Sequence, residues 1–270
     1  MNMTKKLMTV LLTLLALTAC QDEPKPDKGT IETITVNGVS FNMVKVKGGT
    51  LTMNKELQIT PTYVLYQDST LDVTLADYSI GQTEVTQGLW LAVMGSNPSY
   101  FSTTEIPLVQ RDREFGDDLQ RPVEWVSWYD CQDFIDKLNE LTGRHFRIPS
   151  EAEWEFAARG GNKTHGYSYA GSDSIDEVAW YGGNGGNSDH MTHPVGQKKP
   201  NELGLYDMSG NVSEFCLDYV SLWLWNKKYT ILIVRGGSYS DKCFAWERGQ
   251  LWEEGTFSVR TNTVGLRLAE

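Results

Sequence analysis

Basic residues, histidine and cysteine are all scarce in this 270-residue chain. Lys and Arg number 24 against 35 Asp and Glu, a formal charge of −11. A cationic footprint that could neutralise phosphates is missing, which excludes nucleic acid as a partner. Four histidines leave little for an imidazole-rich centre. His190-x-x-His193 has a spacing zinc could use but no Cys or His companion close by, so it reads as loop histidines. Four cysteines are too few for a disulfide scaffold, and a core of this size needs none. No apolar run is long enough to span a bilayer. Abundant instead are 25 Gly and 9 Trp, a composition that suits short strands and tight loops around large rings rather than long helices.

The apolar run that does exist lies at the start. Lys5 and Lys6 precede Leu7 to Leu17, and small residues follow, the pattern of a secretory signal. Cys20, directly after Leu17-Thr18-Ala19, resembles the lipidated Cys of a bacterial lipobox; the competing reading is an ordinary signal with a chance Cys. Residues 1–19 are therefore expected to be a lipoprotein signal, 20–30 a polar, Pro-containing tether, and 31–270 one domain. The lipid anchor makes the membrane an expected partner. Gln21 is unlike the Asp that retains lipoproteins at the inner membrane, and the acidic residues behind Cys20 resemble surface-export signals. The expected location is the outer membrane, facing the surface in preference to the periplasm. Cys131, Cys216 and Cys243 remain, which allows at most one internal disulfide.

Alternating residues over 31–53, broken by Asn37-Gly38, predict a hairpin, and Gly48-Gly49 the next turn. Further strand-like stretches lie in 62–80. Three helices are expected. The first runs from Thr86 to Gly95 and buries Leu89, Val93 and Met94. The second is capped by Ser127, stopped by Gly143 and striped by Cys131, Phe134, Ile135, Leu138 and Leu141. The third opens at Ser150 with Glu153 as its capping-box partner, burying Trp154, Ala157 and Ala158. Glu151, Glu153 and Glu155 read as cap and first-turn carboxylates spread around that helix. Beyond Gly161 the chain is loop-rich, with short strands at Asn211–Leu217, Ile231–Val234 and Gly265–Leu268. The fold class is α+β.

Several ordered stretches carry a family resemblance. They include Arg121-Pro122-Val123-Glu124-Trp125-Val126-Ser127-Trp128, Phe146-Arg147-Ile148-Pro149-Ser150-Glu151-Ala152-Glu153-Trp154-Glu155-Phe156, Gly204-Leu205-Tyr206-Asp207-Met208-Ser209-Gly210-Asn211-Val212-Ser213-Glu214-Phe215, Arg235-Gly236-Gly237-Ser238 and Gly265-Leu266-Arg267. Order and spacing resemble the formylglycine-generating enzyme (sulfatase-modifying factor) family over about residues 38–270. The resemblance implies a C-type-lectin-like core with few helices and many loops. It also implies more than one function, because enzymes and purely binding proteins share this fold.

The family's enzymes oxidise a substrate cysteine with copper(I) on two thiolates, soft ligands suited to that ion. Counted from Ser238, the two thiolate positions hold Asp241 and Trp246, and Cys243 lies between them without a partner. No copper and no catalytic residue are therefore expected. Cys243 reads as a core cysteine near or bonded to Cys216, and Cys131 as a buried thiol.

A structural calcium is what the resemblance does imply. Asp207 and Glu214 supply carboxylates, and Gly210 and Val212 carbonyls, hard oxygen donors on a sharply turned loop. The competing reading is a hydrogen-bonded turn without metal. The family's second calcium position falls on Glu177-Val178-Ala179-Trp180, which lacks its side-chain ligand. Downstream, Tyr219 to Trp225 reads as new core or as an exposed aromatic platform, with core favoured. Asp241, Trp246, Arg248 and Trp252 fall where this fold faces its ligands, and aromatic faces mixed with charge suit sugars or peptides.

The expectation is thus a lipid-anchored, calcium-stabilised, noncatalytic module that binds a glycan, peptide or envelope protein, or supports envelope assembly. Two alternatives stay open: an oxidase or related enzyme acting on an exported protein, and a purely structural envelope lipoprotein.

Overall fold

Asn37 and Gly38 both take positive φ, 49° and 83°, the two-residue turn whose twist matches its flanking strands. They join β1 (Ile31–Val36) to β2 (Val39–Val46), in register from Val36↔Val39 to Ile31↔Val44. The other edge of β2 pairs with β5 (Tyr78–Gly81), completing a three-stranded sheet. The chain's last residues run along β5, where Gly81 N donates to Leu268 O and Ser79 N to Glu270 O. Between β2 and β5 rises a separate antiparallel pair, β3 (Thr50–Ile59) and β4 (Val64–Thr74), with a register shift at Asn54/Glu56. The computed structural model describes residues 30–59, 64–102, 119–224, 227–240 and 256–270.

The three expected helices form, and their caps are local chemistry. Thr86 accepts the Leu89 N–H at the start of α1 (Gln87–Met94), which ends at left-handed Gly95. Ser127 and Asp130 exchange hydrogen bonds as a capping box for α2 (Trp128–Thr142), and Gly143 closes it at φ 67°. Ser150 and Glu153 do the same for α3 (Glu151–Ala158). Two refinements concern burial. Met94 is only partly buried, and Leu141 is 50% exposed. The α2 stripe ends at Leu138 because the chain returning from Gly143 is met there by Asn139, which bonds both N–H and C=O of Phe146. A single turn, α4 (Ile175–Val178), was not foreseen.

The third sheet has the order β7-β6-β8. Here the expectation of short strands fails: β6 (Ser213–Leu224) and β7 (Lys227–Arg235) form a long hairpin, joined by two-residue β8 (Val264–Gly265) in parallel. Placing the Tyr219 segment in the core also fails for Tyr219 itself, which is 61% exposed. Past β8, the strand pairing of β6 is with β7, and Leu217 N still donates to Pro149 O. Trp225 lies outside the described residues.

Among the described residues two large apolar clusters make most of the core, with a small third around Phe101 and Tyr239. One packs α1 and α2 against the first sheet, with the Trp90 and Phe134 rings stacked at 4.8 Å. The other surrounds Trp154 on α3 with Val44, Ile80, Leu205, Met208 and Cys216. Among the described residues no helix is long and apolar enough to cross a membrane.

Candidate functional site

The loop that leads into β6 is held in three left-handed steps, Asp207 at φ 56°, Gly210 at 83° and Asn211 at 62°. Gly210 is required: a Cβ there would collide with the Trp180 carbonyl, which accepts the Asn211 N–H at 2.8 Å. The Asn211 side chain then clamps the backbone of His193, accepting from its N–H and donating to its C=O. Asp207 Oδ2 accepts the Gly196 N–H at 2.7 Å, while Oδ1 is buried without a partner.

Below this loop sits a buried charge cluster. Arg267 donates from Nε and Nη2 to Glu214, from Nη1 to Gly81 O and from Nη2 to Tyr206 O. Glu214 also accepts the Trp154 indole N–H at 2.6 Å. Glu84 is fully enclosed with both carboxylate oxygens unpartnered. Burial, reinforced by the charge of Asp207, drives the Glu84 carboxyl well above its ordinary range. Burial likewise pushes Asp207 up to about 6, against the pull of the Gly196 N–H and of Arg267.

In kind these are donors a hard divalent cation takes, with the Asp207 Oδ1 atom open and both Glu214 oxygens already on Arg267 and Trp154. Two carboxylates and the carbonyls of a sharply turned loop are the donor set such an ion takes, and a buried orphaned oxygen marks uncompensated charge. Among the described residues no three His, Cys, Asp or Glu side chains converge as a ready-made cage. The candidate set thus rests on Asp207, Glu214 and the carbonyls of Gly210 and Val212.

The other proposed chemistries resolve differently. Cys131 and Cys216 are free, buried thiols, and burial raises both pKa values well above the ordinary range. Neither is suited to nucleophilic or metal chemistry. Cys243, expected near or bonded to Cys216, lies outside the described residues. His193 stacks on Trp180 at 3.8 Å and its Nε2 lies 2.9 Å from Ser188 O. Lys198 Nζ sits 3.9 Å from the Trp180 ring centroid. His193 is therefore engaged in packing. Cys20, Asp241, Cys243, Trp246, Arg248 and Trp252 lie outside the described residues.

Two features escaped the sequence reading. Glu151 and Glu155 are not dispersed first-turn charges: one helical turn apart, they share a face and jointly hold buried Arg235, at 2.6 and 2.7 Å. Glu155 also accepts from Arg159. The i,i+4 spacing was the available signal. The second feature is Glu124, a fully buried carboxylate that accepts the N–H groups of Tyr100 and Phe101 at 3.1 and 2.8 Å. Next to it, Trp125 has φ 60° and is 41% exposed. Nothing in the local sequence announces a left-handed tryptophan.

Comparison with known proteins fits this architecture. Residues 28–270 match the family model described as a sulfatase-modifying factor enzyme 1-like domain. The chain is 35% identical over 254 residues to the chaperone protein LppX of Paenibacillus barcinonensis, covering 74% of this chain and 79% of that one. It is 34% identical over 139 residues to the formylglycine-generating enzyme of Streptomyces coelicolor, covering 44% of this chain and 42% of the enzyme. Among solved structures, Treponema denticola variable protein 1 superposes with a TM-score of 0.70 at 30% identity, over 90% of this chain and 99% of that one. A family match over residues 28–270, which span every described residue, means that the chain belongs to the sulfatase-modifying factor enzyme 1-like family.

Proposed function

We propose that this protein is a cell-envelope lipoprotein whose family domain is noncatalytic and binds a ligand or supports an envelope assembly. One observation carries the reading. The positions for a copper-binding thiolate pair hold Asp241 and Trp246, and the two described thiols are sealed in the core. A two-thiolate Cu(I) site needs both sulfurs accessible to a third ligand and to oxygen. Anchoring through Cys20 at the outer membrane, facing outward, belongs to the same proposal and draws on the lipobox-like segment. The test is aerobic incubation of the copper-loaded protein with a cysteine-containing sulfatase peptide, read by mass spectrometry. The peptide is expected to stay unmodified, and its conversion to formylglycine would sink the noncatalytic reading.

A structural calcium on Asp207, Gly210, Val212 and Glu214 completes the proposal. The support is the left-handed loop and the orphaned Asp207 oxygen. Such an ion would supply positive charge that cross-links the loop to the start of β6. Calcium should raise the melting temperature and chelation lower it, and a transition indifferent to both would remove the metal from the account. The name of the Paenibacillus relative, a chaperone, favours a second form of the reading, assistance to another exported protein.

A further inference from the structure

A tryptophan at φ 60° is a backbone outlier for a bulky side chain, held only where its surroundings over-determine it. Here they do. The Trp125 N–H donates to Thr261 O at 2.9 Å. The residue before it, Glu124, has its N–H on Ser99 Oγ and its carboxylate on the N–H groups of Tyr100 and Phe101. Ser99 N donates to Asn97 Oδ1, and the Asn97 amide donates to Gln87 Oε1 and to Ser102 Oγ. All five supporting polar residues, Gln87, Asn97, Ser99, Ser102 and Glu124, are buried. A buried polar network of this size is costly unless fully engaged. Its product is to fix two rings at the surface: Trp125, 41% exposed, and Tyr100, with centroids 5.8 Å apart and planes tilted by 32°.

An exposed indole held by strained backbone on a rigid polar support is a preorganised contact surface. We propose that Trp125 and Tyr100 form a stacking platform for a neutral glycan. This rests on the ligand-binding reading above and names the ligand class. Two observations select the class. First, the backbone N–H groups of Ser99, Tyr100, Phe101, Glu124 and Trp125 are all engaged within the protein. A peptide main chain therefore finds no donors among them, whereas a sugar stacks its C–H face on the rings and leaves its hydroxyls to water. Second, the chain's charge of −11 opposes polyanionic ligands. The platform continues inward through Phe101, edge-on to Tyr239 at 5.1 Å, just past the Arg235–Ser238 segment.

The test is direct binding of the full chain, in detergent, to an array of neutral oligosaccharides (β-glucans, mannans, N-acetylglucosamine oligomers), with proline-rich peptides alongside. The expected result is glycan binding accompanied by quenching of tryptophan fluorescence. Trp125→Ala should weaken it at least tenfold, and Trp125→Phe, which keeps a ring, should retain part of it. Each protein is compared after its folding transition is measured; if Trp125→Ala does not fold, the Trp125→Phe and Tyr100→Ala pair decides. Glycan binding untouched by these substitutions would overturn the platform but leave the ligand-binding reading standing. Peptide binding without glycan binding would overturn the ligand class alone. Silence of the folded protein on every probe would overturn both.

Discussion

Two buried arginines serve this fold in opposite ways. Arg235 meets Glu151 and Glu155, and Glu155 is shared with Arg159, so every charge there has an opposite within hydrogen-bonding reach. Arg267 is as deeply buried but outnumbered. Glu214 takes it through Nε and Nη2, its remaining hydrogen bonds go to two backbone carbonyls, and Glu84 and Asp207 keep three orphaned oxygens between them. The first site is a closed clamp between α3 and β7. The second carries surplus negative charge in a low-dielectric interior, where protons or a cation must compensate it. The difference separates a scaffold element from a place prepared for something more.

The largest effect should come from removing either cation. Arg267→Met and Arg235→Met each strand carboxylates in the core, at a cost of about 3–5 kcal/mol in urea denaturation. A small loss at Arg235 would break the view of it as a clamp. The comparison sharpens at the carboxylates. In chelator, Glu151→Gln should cost about 1–3 kcal/mol because it leaves a paired guanidinium short of an acceptor. Glu84→Gln should leave stability unchanged or raised, since that carboxylate has no partner to lose. Equal losses from the two would erase the distinction.

Glu124 offers a pH test at a third buried carboxylate. Burial raises it to about 8, against two backbone donors and the charge of Arg121 that pull it down. The folded state therefore holds a proton that the unfolded chain releases near 4.5. Its contribution is complete below that pH and is lost as pH rises toward about 8. Melting temperature should fall over that window, and Glu124→Gln should flatten the fall. Smaller still, Ser150→Ala should cost about 1 kcal/mol through the lost cap. Arg260→Ala, which removes a half-exposed partner of Asp130, should cost under about 1 kcal/mol.

Legibility followed sequence distance. Caps at Thr86, Ser127 and Ser150, the stops at Gly95 and Gly143 and the turn at Asn37-Gly38 are contacts within four residues. Residue type nearly dictates them. The length of the β6–β7 hairpin was not legible, because Tyr219 to Trp223 carries the same residues a buried strand would. The Asp207–Glu214 stretch could be marked as a candidate, but its crowding by Glu84 could not, since Glu84 stands over a hundred residues upstream, in the Gly81–Thr86 stretch that signals the family but not this contact.

By itself the sequence determined the family, the order of its elements, their caps and turns, and the replacement of the thiolate positions by Asp241 and Trp246. These are properties of residue type and near spacing. Only the tertiary structure decided that Glu151 and Glu155 close on Arg235, that Arg267 is shared unequally among carboxylates, and that Trp125 is held in a left-handed turn. Each depends on groups brought together from distant parts of the chain. The energy of a buried charge or a strained residue is set by what surrounds it, which no local pattern contains.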